Sequence, residues 1–326
     1  MDGGRSEAET FTVGFFLIPD FSMMAFAAAL EPLRSANRIK QSTLYRWRLF
    51  SRDGGRVLAS NGIGFEVHGS LDEQPEVDMM LVCAGYNPES YDDKRVFAWL
   101  RRLSRSGVKV GALSTGAYIL GRSGLLDGKH CTVHWEHVAS LAEKFPAAMT
   151  SSGIYVIDGN LLTCSGGIAA LDMMLSVIAG QHGRALANGV AENFIHPRIR
   201  EHDDRQRMEL QTRLGISHPR LLTTILRMES AIEEPLDMNE LADAVELSPR
   251  QLERLFRRYL KTTPHGYYVK LRLERGRRLL TQTSASILDV AMACGFVSAS
   301  HFTKCYRRIF GRTPTDERRG VLAAGN

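Results

Sequence analysis

Residues Met238–Leu260 read MNELADAVELSPRQLERLFRRYL, and residues Ile287–Phe310 read ILDVAMACGFVSASHFTKCYRRIF. The two stretches follow one plan. Each begins with a short helix pattern, Leu241-Ala242 in one and Val290-Ala291 in the other. Each then turns, closes on a helix-capping serine (Ser248 or Ser298), and ends in a longer helix rich in Arg and Lys. A short helix, a tight turn and a capped second helix form the order of a helix-turn-helix, whose second helix enters a major groove of DNA. Two such units in one chain imply two recognition helices reaching neighbouring faces of one duplex.

In the first unit Pro249 follows Ser248 at the first helical position, where its missing N–H costs nothing. Leu252, Leu255 and Phe256 are spaced to face a core, so Arg250, Gln251 and Arg254 fall outward near the helix N-terminus. Arg bonds guanine bidentately and Gln pairs with adenine, so these three are expected at base edges. Arg257, Arg258 and Lys261 lie further along and are expected at phosphates. In the second unit Phe302, Tyr306 and Phe310 form the inner stripe. Ala299, Ser300, Thr303 and Lys304 face outward, and Arg307, Arg308 and Arg312 are phosphate candidates. Gly295 stands in the second turn and Glu246 at the matching place in the first. A left-handed backbone at a non-glycine residue costs about 1–2 kcal/mol. A solvated, salt-bridged helix face accounts for Arg250 and Arg254 taken alone, but not for the paired arrangement.

The charge distribution agrees. From Ile216 onward there are 18 Lys and Arg against 12 Asp and Glu; before it there are 23 against 24. A near-neutral body carrying a basic tail points to nucleic acid more than to a membrane. The length of 326 residues suits two or three domains, with 44% hydrophobic and 24% charged residues. The cysteines, Cys83, Cys131, Cys164, Cys294 and Cys305, are odd in number and scattered without a CxxC pair. They suggest buried thiols, not a disulfide framework or a metal site, and no cofactor is expected. The opening MDGGRSEAET has no apolar core of a signal peptide, and no apolar run approaches the ~20 residues of a membrane span. A cytoplasmic location without membrane contact is expected.

Short apolar runs alternate with helical patterns through the first half. Phe11–Ile18, Arg46–Ser51, Val77–Cys83 and Val108–Leu113 read as strands, as do His130–Val133 and Ile154–Ile157. Asp158-Gly159-Asn160 reads as a hairpin turn. Ser22–Arg38, Tyr91–Ser106 and Ile168–Ala179 read as helices, the first kinked or restarted at Pro32. This pattern implies an α/β domain over residues 10–195, a mostly parallel sheet with helices on both faces. Residues 196–215 are charged and poor in apolar side chains, and read as a linker. Residues 216–320 read as an all-α domain holding both helix-turn-helix units.

Within the first half, VKVGALSTGAYIL (108–120) is a strand, a sharp turn and a helix. Its turn, Ser114-Thr115-Gly116, meets Cys83-Ala84-Gly85-Tyr86 and His134-Trp135-Glu136 at the carboxyl ends of parallel strands, the expected ligand site of such a sheet. The ligand candidates are Gly85, Tyr86, Ser114, Thr115, Gly116, His134 and Trp135. Free N–H groups after Ser114 favour an anion. Tyr86, Trp135 and Trp47 offer ring faces to a cation. A serine nucleophile needs an oriented base, and only His134 offers one, with Glu136 two residues away and directed elsewhere if that stretch is extended. No catalytic residue is assigned, and Ser114 as a plain turn residue is an equal alternative.

The C-terminal hundred or so residues resemble the AraC/XylS family of transcription regulators, through LSPRQLERLF, YYVKLRLERGRRLL and SILDVAMACGFVSASHFTKCYRRIFGRTP. That resemblance implies seven helices and two helix-turn-helix motifs in adjacent major grooves, ~34 Å apart. The stretch around Ser114 is similar to the PfpI-like, class I glutamine amidotransferase-like fold, whose enzymes carry cysteine at the elbow. FSMMAFAAALEPLRSANRI and YRWRLFSRDGGRVLASNGI resemble regulators that fuse these two parts and activate catabolism of glycine betaine, carnitine and arginine. The resemblance implies a DNA-binding regulator, an activator. Its partners would be promoter DNA, RNA polymerase, a second copy of the chain and a small nitrogen-containing inducer such as a betaine, carnitine or amino acid. The alternatives are a PfpI-like hydrolase of small molecules and a constitutive DNA-binding protein whose first domain only dimerises.

Overall fold

The computed structural model describes residues 10–86, 88, 90–207, 210–283 and 285–324. The polar opening, residues 1–9, and Met208 and Glu209 of the expected linker lie outside them. The chain divides into two compact units, Met1–Gln206 and Arg207–Asn326.

The first unit runs β1 (Phe11–Leu17), α1 (Met23–Lys40), β2 (Tyr45–Phe50), β3 (Val57–Leu58), β4 (Gly64–Phe65), β5 (Met79–Cys83) and α2 (Lys94–Arg105). It continues with β6 (Lys109–Leu113), α3 (Gly116–Arg122), β7 (His130–Thr132), α4 (Val138–Lys144), β8 (Met149–Ser151), β9 (Tyr155–Asp158), β10 (Leu161–Cys164), α5 (Ala169–His182) and α6 (Arg184–Asn193). The main sheet has the order β2-β1-β5-β6-β10-β9. Its first five strands are parallel, and β9 returns antiparallel to β10 through the Gly159-Asn160 turn. The apolar runs are continuous because both faces are covered. Phe15 and Leu17 of β1 enter one core with α1, α5 and α6; Phe16 and Ile18 enter the other with α2 and α3. The His130–Val133 stretch is not part of this sheet. It is β7, paired with β8 in a separate two-stranded sheet. Pro32 does not restart α1, which is one helix of 18 residues with Pro32 buried in its packed face.

The register of the sheet lines up its ends. Leu17 pairs with Cys83, Cys83 with Leu113, and Leu113 with Cys164. Four parallel strands therefore finish in one row. The segments after them, beginning at Ile18, Ala84, Ser114 and Ser165, are gathered at one edge. β2 and β5 lie on opposite sides of β1, so the strand order reverses direction between β1 and β5, where a ligand crevice opens in such sheets.

Residues 196–215, expected as a linker, are shared between the units. Asp172 on α5 is fully buried, and its carboxylate receives His196 Nε2 at 2.8 Å. It also receives Arg200 through its backbone N–H at 2.8 Å and its guanidinium at 2.9 and 2.7 Å. Gln206 Nε2 donates to Val133 O at 3.0 Å and Gly153 O at 2.8 Å. Residues 196–206 are thus strapped to the first unit by polar contacts, which an apolar pattern does not reveal.

The second unit holds α7 (Leu210–Leu214), α8 (Pro219–Ser230), α9 (Met238–Asp243), α10 (Pro249–Leu260), α11 (Pro264–Gln282), α12 (Ile287–Ala293), α13 (Ala299–Phe310) and α14 (Pro314–Ala324). Leu210 and Ile216 lie in a core with Leu241, Leu252, Phe256 and Tyr268. A second core joins Val269, Leu273, Val290, Phe296, Phe302 and Tyr306. Each helix-turn-helix, α9–α10 and α12–α13, has its own core, and α11 serves both.

Candidate functional site

Helix α10 starts at a reciprocal cap. Ser248 Oγ accepts from Gln251 N, and Gln251 Oε1 accepts from Ser248 N at 2.8 Å. Gln251, expected at a base edge, is therefore a capping residue with only its NH2 group left to present. Arg250 and Arg254 are exposed and have neither ion pair nor hydrogen bond among the described residues. Further along, Arg257 is held by Glu253 at 2.9 Å. The Arg258 guanidinium lies 5.5 Å from the Tyr259 ring centre, and Lys261 Nζ donates to Arg258 O at 3.1 Å. Leu252 and Phe256 are buried beneath them.

Helix α13 is capped by Ser298, whose hydroxyl accepts from His301 N at 3.2 Å. Phe302 and Tyr306 are fully buried, and Phe310 stacks on Tyr306 with ring centres 4.6 Å apart. Their burial turns Ala299, Ser300, Thr303, Lys304, Arg307 and Arg308 to one side, where with Thr313 they line a hollow of about 730 Å³. Arg312 does not join them. Its guanidinium lies 3.4 Å from Glu317, a buried carboxylate that also meets Arg277 and Tyr306, each at 3.1 Å. Arg312 thus holds α14 in place instead of waiting for phosphate.

The two turns are alike in backbone and unlike in support. Glu246 has φ 54° and Gly295 φ 70°. A β-carbon at Gly295 would meet Ile232 O and the Pro235 ring at 2.6 Å. Arg272 ties this second turn down, donating from Nε to Cys294 O at 2.8 Å and from a terminal nitrogen to Gly295 O. Its guanidinium stacks 4.2 Å from the Phe296 ring centre. Glu246 is exposed and is met by Arg220, 3.7 Å from its carboxylate and 3.5 Å from its backbone carbonyl.

In the first unit the aligned strand ends bring Gly85, Tyr86, Ser114, Thr115 and Gly116 together, whereas His134 and Trp135 follow β7 outside the main sheet. Ser114 follows β6 in a left-handed conformation, φ 57°, which is strained for a residue with a β-carbon. Thr115 Oγ1 donates to Gly85 O at 2.6 Å, tying the elbow to the end of β5. Gly85 must be glycine, because a β-carbon there would lie 2.0 Å from Asp20 O. Tyr86 is 71% exposed beside it. Gly116 opens α3, which is only seven residues long. His134 and Trp135 follow β7 in a turn closed by His137 N donating to His134 O at 2.7 Å. The stretch is not extended, so Glu136 swings back to within 3.6 Å of His134 Nδ1. Burial of the His134 ring pulls its pKa below the ordinary 6.5 against the opposing carboxylate. Trp47 does not reach the rim. It pairs with Val13 on the edge strand β2 and lines a different hollow with Tyr45 and Arg46.

The sequence reading missed Asp20. This residue also has a positive φ, 62°, in the turn after β1 at the point where the strand order reverses. Its carboxylate has no hydrogen bond or ion pair among the described residues, and neither does the Ser114 hydroxyl. The thiols beneath the elbow are not nucleophiles near neutral pH. Burial raises Cys83 far above its ordinary pKa and Cys164 to about 11.

Comparison with known proteins agrees with both halves. Residues 13–180 match the model of the DJ-1/PfpI family, and residues 241–320 that of a helix-turn-helix domain. The HTH-type transcriptional regulator GbdR of Pseudomonas aeruginosa is 46% identical over 309 residues, 95% of this chain and 84% of its own. The HTH-type transcriptional regulator CdhR of the same organism is 43% identical over 304 residues, 93% of this chain and 90% of its own. The chain belongs to the DJ-1/PfpI family and to the HTH-type transcriptional regulators. The crystal structure of an AraC family transcriptional regulator from Pseudomonas putida matches with a TM-score of 0.53 at 30% identity, covering 56% of this chain and 99% of the other. This regulator therefore binds DNA through its C-terminal unit. No helix among the described residues is long and apolar enough to cross a membrane.

Two predictions follow from the geometry of the regulator. Glu246→Gly relieves a left-handed side chain and should raise stability by about 1 kcal/mol, whereas Gly295→Ala should lower it by more than that, both read as shifts of the thermal midpoint. His137, packed edge-on against Tyr118 with Nδ1 buried and unpartnered, is pushed down to about 4 by burial and by His134. The unfolded chain binds this proton more readily, so stability is complete above pH ~6.5 and falls as pH drops from ~6.5 towards 4. Denaturant titrations at pH 7.5, 6 and 5 should show that slope, shallower in His137→Phe.

Proposed function

We propose that the N-terminal unit senses a small nitrogen-containing metabolite at the rim of aligned strand ends, and that binding biases how the two helix-turn-helix units engage promoter DNA. The observation that carries this reading is the Asp20 carboxylate, unpartnered among the described residues, in a turn whose backbone meets Gly85 and the exposed Tyr86, with Thr115 of the elbow tied to the same Gly85. Asp20 is exposed, so its carboxylate is open to a cationic nitrogen arriving from solvent, and an aromatic face adds to that attraction. Glycine betaine, dimethylglycine, carnitine and arginine carry such a group. The rim binds and does not turn over its ligand, a reading supported by a Ser114 hydroxyl without a hydrogen-bonded base and by cysteines held as thiols. A ligand shifts the protein only by its difference in affinity for the two states, so the strap that holds residues 196–206 is the segment through which that difference reaches the second unit. The regulator acts in the cytoplasm as a homodimer and activates by recruiting RNA polymerase, which accords with helix-turn-helix proteins that read paired half-sites.

On the DNA side, Arg250 and Arg254 read base edges from α10, and Ser300, Thr303 and Lys304 from α13. Arg258, Arg307 and Arg308 hold phosphates, with Arg257 kept in line by Glu253. Ala299 offers an apolar contact such as a thymine methyl accepts.

Thermal denaturation of the full chain with each metabolite tests the sensor. At 100 times its dissociation constant the inducer should add about 2.7 kcal/mol. Asp20→Asn should abolish the shift and Ser114→Ala retain it. Absence of a shift with every cation, or an unchanged shift in Asp20→Asn, overturns the assignment. For DNA, Arg254→Ala should cost roughly 1–3 kcal/mol and relax preference at one base, while Arg258→Ala should weaken all sequences alike and reduce the salt slope by about 1. Equal effects on every sequence would refute the division between bases and phosphates.

A further inference from the structure

Helix α2 carries five cations and no carboxylate in twelve residues, KRVFAWLRRLSR. Val96, Phe97, Trp99, Leu100 and Leu103 are buried, so every cation is turned away from the core. At 100° per residue Lys94, Arg101 and Arg105 fall on one line along the helix, and Arg95 and Arg102 on a second beside it. Lys94, Arg102 and Arg105 are exposed and have no ion pair or hydrogen bond among the described residues. Hollows flank the helix on both sides. One, of about 360 Å³, is lined by Asp72, Lys94, Arg95 and Arg102; the other, of about 590 Å³, by Asp92, Lys94, Phe97, Arg101, Arg122 and Lys144. Asp72 lies 2.7 Å from Arg95 and Asp92 3.7 Å from Arg122, and Asp93, which caps the helix, is paired with Arg52.

Part of this arrangement works against the helix. Lys94 and Arg95 occupy its first turn, where the backbone is itself positive and the Asp93 cap answers it, and Arg101 and Arg105 repel at i,i+4 spacing, while Arg102 and Arg105 suit the carbonyl end. The charge is also concentrated within a part of the chain, residues 1–215, that has 23 basic against 24 acidic residues. A segregated double row of cations with apolar support below and a hollow on either side fits a ligand with regularly repeated negative charge.

We propose that the outward face of α2 is a second phosphate-binding surface, by which the N-terminal unit itself grips the backbone of duplex DNA. The proposal rests on the chain being a DNA-binding regulator, and it adds a contact outside the helix-turn-helix units. Duplex DNA is the occupant because its phosphates repeat at short intervals along a strand and draw unpaired Lys and Arg by releasing condensed counterions. Binding through the second unit also keeps DNA at high effective concentration near the first. The contact selects no sequence. It raises affinity and salt sensitivity uniformly.

The test measures binding of the full chain to a fluorescein-labelled 40-bp duplex by anisotropy between 50 and 200 mM salt. The variant Lys94→Gln/Arg102→Gln/Arg105→Gln removes no described intramolecular partner, and an unchanged thermal midpoint verifies its fold. Each phosphate contact contributes about 0.9 to the slope of log affinity on log salt, so the slope should fall by between about 2 and 3. Across that salt range wild type should lose roughly 40-fold more affinity than the variant, by the same relation. Lys94→Arg/Arg102→Lys/Arg105→Lys should keep the wild-type slope, and Arg105→Gln alone should lose about 0.9 of it, a readout that remains if the triple variant misfolds. An unchanged slope in the glutamine variants overturns the proposal. If those variants then fail to activate transcription with purified RNA polymerase, the face belongs to an acidic protein surface. Arg258→Ala, measured in parallel, reports the helix-turn-helix contact, so its failure is distinguishable from failure at α2.

Discussion

The two reading heads depend on one helix. Tyr268 of α11 lies in the core beneath α10, and its neighbour Val269, with Leu273, lies in the core beneath α13. Gly276 lets Phe302 lie against the helix so closely that a β-carbon would be 2.7 Å from the ring. A helix of 19 residues is a rod of about 28 Å, and a packed core does not deform gradually. The separation of the recognition helices is therefore built into a single element whose different faces belong to different cores. Arg272 extends the same control to the turn of the second motif, since its guanidinium grips two backbone carbonyls there.

Most of this could be read from the chain because it is written in apolar spacing. The strands of the sheet and α5 show as continuous apolar runs, because both their faces are covered, and α2 and both helix-turn-helix units show the period of 3.6 that one-sided burial imposes. Serine caps marked the start of α10 and α13 because a side-chain oxygen there satisfies an otherwise orphaned N–H. What escaped was written in polar contacts between distant residues. Nothing near His196 or Arg200 in sequence announces that Asp172 is waiting 24 to 28 residues earlier. Arg312 looks like Arg308 in sequence and differs only because Glu317 lies under it. Gln251 looked like a base reader until its own helix needed it. Asp20 was hidden because its meaning comes from strand order, which places the turn after β1 beside the end of β5.

The rim of the first unit keeps a strained elbow whose serine hydroxyl has no hydrogen-bond partner among the described residues. Ser114 holds a left-handed backbone, and Thr115 locks the turn to Gly85, so the geometry is rigid. Yet burial holds the His134 ring below its ordinary pKa, and the Glu136 carboxylate is 3.6 Å away, beyond a good hydrogen bond. Rigid geometry with idle proton-transfer groups suits recognition, because little ordering entropy remains to oppose binding.

The Asp172 clamp has a consequence for anyone who cuts the gene. By composition the sensor ends near residue 195, and a fragment stopping there would keep all of the sheet and α1 to α6. It would also strip a fully buried carboxylate of the Arg200 guanidinium and the His196 ring that hydrogen-bond to it, the kind of loss that destabilises far more than an intact pair stabilises. The smallest self-sufficient first unit therefore runs through Gln206, and a fusion or truncation designed on the apolar pattern alone would fail at a residue it never touched.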